Sequence, residues 1–201
     1  LTRLSDARFK RIVEPGADTK NLEGLPVEIV TCDVRDGKGM CRALQGASTL
    51  FHLAAIYKMW TPDPNPIWSV NVEGTIAQAK SALAAGARRF VYLSSIKAAS
   101  AGDAYGRSKA IAEQALLQLP GLEPVILRPP LVYGPRVKAN FLALLRAVDR
   151  GWPLPLASIA NRRSFVYVGN LVDAILRCLE SAARGKTYAV ADGAPVSTPE
   201  L

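Results

Sequence analysis

The chain has 201 residues, 49% of them apolar and 21% charged, with a net charge of +8. That is the make-up of an ordinary soluble globular protein of one domain, long enough to bury a full core. No apolar run reaches membrane-spanning length, residues 1–11 are too charged for a signal peptide, and Lys and Arg are scattered without interleaved aromatics, which points to a small anionic ligand rather than nucleic acid.

Leu1 to Ala7 reads as the tail of a helix. Phe9 to Val13 reads as a short strand, ended by Glu14-Pro15-Gly16. A second strand, Val27 to Thr31, ends in Cys32-Asp33, and a helix follows from Gly39 to Leu44. Thr49 to Ala55 is almost continuously apolar, the pattern of a parallel strand buried on both faces. A proline-rich loop from Tyr57 to Pro66 carries Trp60 and leads into a long helix, Ile67 to Ala85, which holds Trp68. Arg89 to Ser95 is another buried strand, Tyr105 to Leu119 a helix, and Pro124 to Leu127 a strand followed by turn-rich residues 128–136. Asn140 to Gly151 and Asn170 to Ala183 read as helices, Arg163 to Val168 and Thr187 to Ala191 as strands. Strands alternating with helices predict an α/β fold, an open parallel sheet covered on both faces. Ligands bind such sheets beyond the carboxyl ends of the strands. Glu14, Asp33, residues 52–55, Ser94-Ser95 and Pro129-Pro130 all fall there.

Cys32, Cys41 and Cys178 are odd in number and lack CxxC spacing, so they read as buried free thiols in a reducing compartment. The single His52 leaves no multi-histidine metal site, and it reads as a packed core residue.

Tyr105 and Lys109 stand four apart, one turn from each other on one helix face. A free tyrosine titrates near about 10, and a neighbouring ammonium favours the phenolate and lowers that value. The pair is therefore a candidate acid/base catalyst.

Eight stretches occur in the order FKRIVEPGAD, VEIVTCDVRD, LFHLAA, VNVEGT, FVYLSS, YGRSK, LRPPLVYGP and RRSFVYVGNLVDA. Together they resemble the NAD-dependent epimerase/dehydratase family of extended short-chain dehydrogenases/reductases. The resemblance implies a Rossmann-type doubly wound parallel sheet over residues 1–135. Residues 136–201 would add a small substrate-binding portion and the last strands. It implies Ser95, Tyr105 and Lys109 as catalytic residues, with Tyr105 the proton donor and acceptor. It places Glu14, Asp33, Val34, Leu53, Ala54, Ala55, Asn71, Ser94 and Pro130, together with Tyr105 and Lys109, on the cofactor. Tyr57, Ser95, Asn140 and Arg163 would meet the substrate, and no metal is implied.

The chain also departs from the family pattern. The family's opening strand and GxxGxxG loop are not found in it, so the sequence reads as incomplete at its N-terminus. Nine residues separate Ser95 from Tyr105, fewer than in the family, as if residues were missing near Ala101-Gly102. Glu14 favours NAD, since a carboxylate there accepts both ribose hydroxyls and repels a 2′-phosphate; Arg11 nearby keeps NADP open. Ile96-Lys97 after Ser95 lacks the acid/base pair of a dehydratase. The expected activity is NAD(P)-dependent epimerisation of a sugar, most simply a nucleotide sugar, by transient hydride transfer. Pro129-Pro130-Leu131 weighs against a nucleotide sugar, and EPGADTKNLEGL and the YKMW loop resemble members that act on lipid-linked sugars or, as one alternative, NADP-dependent ketone reductases similar to dihydroflavonol reductase. Another is a non-catalytic, cofactor-sensing binding protein. A cytoplasmic homodimer with no membrane span is expected.

Overall fold

The computed structural model describes residues 7–58, 61–135, 137, 139–153, 159 and 161–200, with residues 139 and 140 described by backbone alone. The expected leading helix tail and Trp60 lie outside these residues.

The centre is a parallel sheet in the order β3 (Thr49–His52), β4 (Arg89–Leu93), β5 (Glu123–Arg128) and β8 (Thr187–Ala189). Val91 pairs with Val125 and Tyr92 with Ile126. Alternate residues therefore face opposite sides. Phe90, Tyr92 and Ile126 pack with Met40, Ala79, Ala82, Ala112 and Leu116 in one apolar cluster. Val91, Val125 and Leu127 pack with Cys178 and Ala183 in another. Burial on both faces is what made these strands continuously apolar in sequence. The first cluster is supplied by α1 (Gly37–Ala43), by a long helix α2 over 65–84, and by α4 (Ala104–Gln118), which follows the single turn α3 (Lys97–Ser100). The second lies under α6 (Val168–Arg177) and the 3₁₀ turn after it.

The parallel sheet with flanking helices is the α/β fold expected from sequence, and among the described residues its strands form three hydrogen-bonded ladders. β1 (Phe9–Val13) and β2 (Val27–Thr31) pair in parallel with each other. β6 (Leu131–Tyr133) pairs in parallel with β7 (Arg162–Tyr167), and β7 pairs antiparallel with β9 (Asp192–Ser197). α5 (Ala139–Asp149) lies between β6 and β7 in the chain. β6 was hidden in a turn-rich stretch because three residues carry no period. β9 contains Gly193 and Pro195, a composition tolerated only at an edge, and β9 pairs on one side alone. The helix expected to run to Ala183 stops at Arg177, and the carbonyls that follow explain why. Cys178 O and Glu180 O accept Arg89 Nη1 at 2.6 and 3.0 Å, which satisfies the end of α6 from the sheet.

Candidate active site

The site is built where α4 meets the carboxyl end of β4. Asp103 caps α4, its Oδ1 accepting from Gly106 N at 2.6 Å, and its Oδ2 accepts Lys97 Nζ at 2.7 Å. Ala101 turns the chain in the left-handed region at φ 49°. A Cβ on Gly106 would stand 2.6 Å from Lys97 O, so glycine allows the first turn of α4 to rest on α3. The nine-residue connection is thus held as a closed, capped turn.

Tyr105, Lys109 and Glu113 follow at one-turn intervals on the buried side of α4. Lys109 is buried, and its Nζ donates to Leu93 O at 2.8 Å. It lies 4.6 Å from the Tyr92 ring centroid and 5.9 Å from that of Tyr105. Burial pulls the Lys109 pKa down to about 8, against the pull of the Glu113 carboxylate. Burial pushes the Tyr105 phenol up to about 12; the nearby Tyr57 adds to this, while the neighbouring Ser95 hydroxyl pulls it back. The sequence-based expectation that Lys109 lowers the Tyr105 pKa is corrected here. The ammonium is turned to the Leu93 carbonyl and the Tyr92 ring, and burial decides the direction. Tyr57 meets Tyr105 edge-on with ring centroids 4.9 Å apart.

The chain leaving β3 is held by Asn71. Residues Ser69–Gly74 form a π-helical segment between two α-helical parts of α2, Asn65–Trp68 and Thr75–Ala84. Such an insertion often marks a functional position. Here it turns Asn71 toward Ile56, whose N–H donates to Asn71 Oδ1 at 2.8 Å and whose carbonyl accepts from Nδ2 at 3.0 Å. Nδ2 also donates to Ser108 Oγ at 3.1 Å, which ties α2 to α4. His52 is a core histidine, as its sequence setting indicated. It contacts Gln78 Oε1 at 2.7 Å and Thr75 Oγ1 at 2.9 Å, and burial takes its pKa down to about 4.

A model of the NAD dependent epimerase/dehydratase family matches residues 7–191. The chain belongs to that family. It is 39% identical over 183 residues to UDP-glucose 4-epimerase of Vibrio cholerae, covering 79% of this chain and 56% of that one. It is 29% identical over 175 residues to the N-acetyl-alpha-D-glucosaminyl-diphospho-ditrans,octacis-undecaprenol 4-epimerase of Escherichia coli O157:H7, covering 76% and 52%. The crystal structure of UDP-glucose 4-epimerase from Thermotoga maritima shares the fold, with a TM-score of 0.81 at 20% identity over 99% of this chain and 74% of that one. The chain thus spans little more than half the length of these curated relatives.

In this NAD-dependent family member, the carboxyl edge of the sheet suits a nicotinamide dinucleotide. Lys109 uses one of its three N–H donors on Leu93 O, and that is its one hydrogen bond among the described residues. The donor set left over matches vicinal hydroxyls. Leu53, Ala55 and Glu14 are exposed beyond their strands, with Ala54 half-buried. Asp33 is clamped by Arg35 at 2.9 and 2.6 Å, which holds its carboxyl down at about 2, and Val34 is half-buried beside it. Pro130 follows Pro129, whose carbonyl accepts from Ile96 N at 3.0 Å.

The structure brings Ser95, Tyr105, Lys109, Tyr57 and Asn71 together. Ser94 is not open to a ligand, because its hydroxyl points inward to Glu113. Arg163 lines a separate cavity of about 140 Å³ with Leu131, Phe141 and Phe165, whose lining does not include Tyr105. The Asn140 side chain lies outside the described residues. Sequence reasoning missed Glu113, although its spacing from Lys109 repeats that of Lys109 from Tyr105. It also missed Lys97, which pairs with Asp103 beside Tyr57.

Proposed function

We propose that the protein is an NAD-dependent epimerase of a nucleotide-linked sugar, with Ser95, Tyr105 and Lys109 at the reacting centre. The observation that carries the reading is the half-buried Tyr105, one turn from the buried Lys109 that is anchored on Leu93 O, at the carboxyl end of the strand that leads to Ser95. The 39% identity to an epimerase supports the sugar over other alcohols. Bound NAD would supply the hydride acceptor and its positive ring charge.

The residues then divide the work. Ser95 and Tyr105 hold the oxygen of the substrate hydroxyl. Tyr105, as phenolate, takes the proton of that hydroxyl while the carbon loses hydride and becomes a ketone. Return of hydride to the other ketone face, with the proton given back by Tyr105, yields the epimer. With its pKa at about 12, Tyr105 is protonated in the ligand-free protein at neutral pH. The positive charge that bound NAD would bring next to it favours the phenolate, while Lys109, charged below about 8, is left to hold the cofactor. Glu14 accepts ribose hydroxyls and so selects NAD. Asn71 keeps Ile56 in place under the reacting end, and Tyr57 closes the site beside Tyr105. The free thiols suit a reducing cytoplasm.

The test is incubation with UDP-glucose and NAD, followed by analysis of both sugar and cofactor. The expected result is the 4-epimer with no net NADH, and a loss of about 10²–10⁴-fold in Tyr105→Phe. Full turnover by Tyr105→Phe would overturn the mechanism. NADPH oxidation by a ketone, without epimer, would replace this reading with the reductase.

A further inference from the structure

Glu113 is the acidic residue of α4, and only 3% of it is exposed. A lone buried carboxylate is strongly unfavourable, so its partners indicate what it holds. One partner is Arg128 at the end of β5, with Nε at 3.0 and 3.2 Å from the two carboxylate oxygens and Nη2 at 2.5 Å from Oε2. The other is the Ser94 hydroxyl, which donates to Oε1. Ser94 sits between Leu93, whose carbonyl holds Lys109, and Ser95. The backbone on either side of Ser95 is tied to the exit of β5, Ser94 N to Leu127 O at 2.7 Å and Ile96 N to Pro129 O at 3.0 Å. β4 and α4 are thus fixed in register at two levels one helical turn apart. The register of α4 decides where Tyr105 stands relative to Ser95.

We propose that Glu113, clamped by Arg128, is a positioning residue: it grips the Ser94 hydroxyl and so sets Ser95 against Tyr105. The inference rests on the reading of Ser95 and Tyr105 given above. A purely structural ion pair would behave differently. Replacing a buried pair by apolar residues of similar volume is often neutral or stabilising, so fold stability and alignment can be separated. The carboxylate also acts on Lys109. The groups facing that ammonium are Glu113 and Tyr105 on α4, Tyr92 on β4 and His52 on β3; Glu113 is the one that raises its pKa. Without it, burial acts on Lys109 unopposed, and the alkaline limb of activity moves to lower pH.

Two double variants of the full chain separate the hydrogen bond from the charge. Glu113→Leu with Arg128→Met removes both. It is expected to fold with a melting temperature only modestly lowered by the unpaired Ser94 hydroxyl, to keep its NAD affinity, to lose about 10²-fold in kcat on UDP-glucose with KM little changed, and to shift the alkaline limb down. Glu113→Gln with Arg128→Met restores an acceptor for Ser94. Here kcat should return to within a few-fold of the parent while the alkaline limb stays shifted. If the first variant does not fold, Ser94→Ala carries the test, with an expected loss of about tenfold in kcat that Ser94→Thr restores. Unchanged kcat in a folded Glu113→Leu/Arg128→Met variant, or in Ser94→Ala, overturns the inference even when Tyr105→Phe is inactive. Full activity in Tyr105→Phe overturns the site reading and this inference with it.

Discussion

His52 sits between the rings of Phe90 and Tyr92, with centroids 5.6 Å from each, and is 2% exposed. Burial disfavours the imidazolium, and the nearby Lys109 cation disfavours it further, so the folded-state pKa drops to about 4. The unfolded chain binds a proton on this ring below about 6.5. Between those values the unfolded state holds more protons, so stability rises with pH. The contribution of His52 is complete above about 6.5 and is lost as pH falls toward 4, by at most roughly 3 kcal/mol. Urea unfolding should therefore give a lower free energy at pH 4.5 than at pH 7.5. The difference should shrink in His52→Gln, which cannot titrate. A variant with an unchanged pH slope would show that other groups set it. At this scale the sequence was partly legible. The Tyr105–Lys109 spacing predicted the face they share, because helical period is local. The direction of the Tyr105 pKa was not legible, because burial and the aim of the ammonium are tertiary facts.

α3 and α4 meet through one missing Cβ. Alanine at position 106 would gain about 1 kcal/mol of helix propensity over glycine. The added methyl would lie 2.6 Å from the main-chain carbonyl of Lys97, which cannot swing aside as a side chain does. The same turn is held by the Lys97–Asp103 pair and the Asp103 cap. Overpacking of this kind typically costs about 1–3 kcal/mol, so strain outweighs propensity. Gly106→Ala should lower the melting temperature, and kcat should fall with it because Tyr105 precedes the strained residue. A melting temperature at or above the parent's would show that α3 yields. The elements best read from sequence were those with a long unbroken pattern, such as β4, β5 and α4. The π-helical segment of α2 was not read, since Asn71 finds Ile56 only after β3 and α2 are packed. The end of α6 was not read either, because Arg89 arrives from a strand nearly ninety residues away in the chain.

Across the whole molecule, the candidate site straddles two layers of unequal support. β4 is hydrogen-bonded on both sides and buried on both faces; Phe90, Val91 and Tyr92 are each 1% exposed or less. It carries Ser95 and the Leu93 carbonyl that holds Lys109. Among the described residues β1 and β2 bond to each other alone, and Phe9 and Ile29 are 40% and 44% exposed. That pair carries Glu14 and leads to Asp33, two of the residues that the resemblance places on the cofactor. Local opening is easiest where apolar contacts are few and backbone bonds lie near solvent. Amides of β4 and β5 should therefore exchange with deuterium most slowly, and those of β1 and β2 should exchange well ahead of them. A ligand that binds only the closed form suppresses opening by a factor of one plus the ratio of free ligand concentration to Kd. Saturating NAD should then slow exchange in β1 and β2 far more than in β4, whose protection is already set by packing. Equal exchange in the two ladders without NAD would refute the unequal support. Protection by NAD confined to β4 and β5 would remove Glu14 from the proposed site while leaving Tyr105 and Lys109 in it.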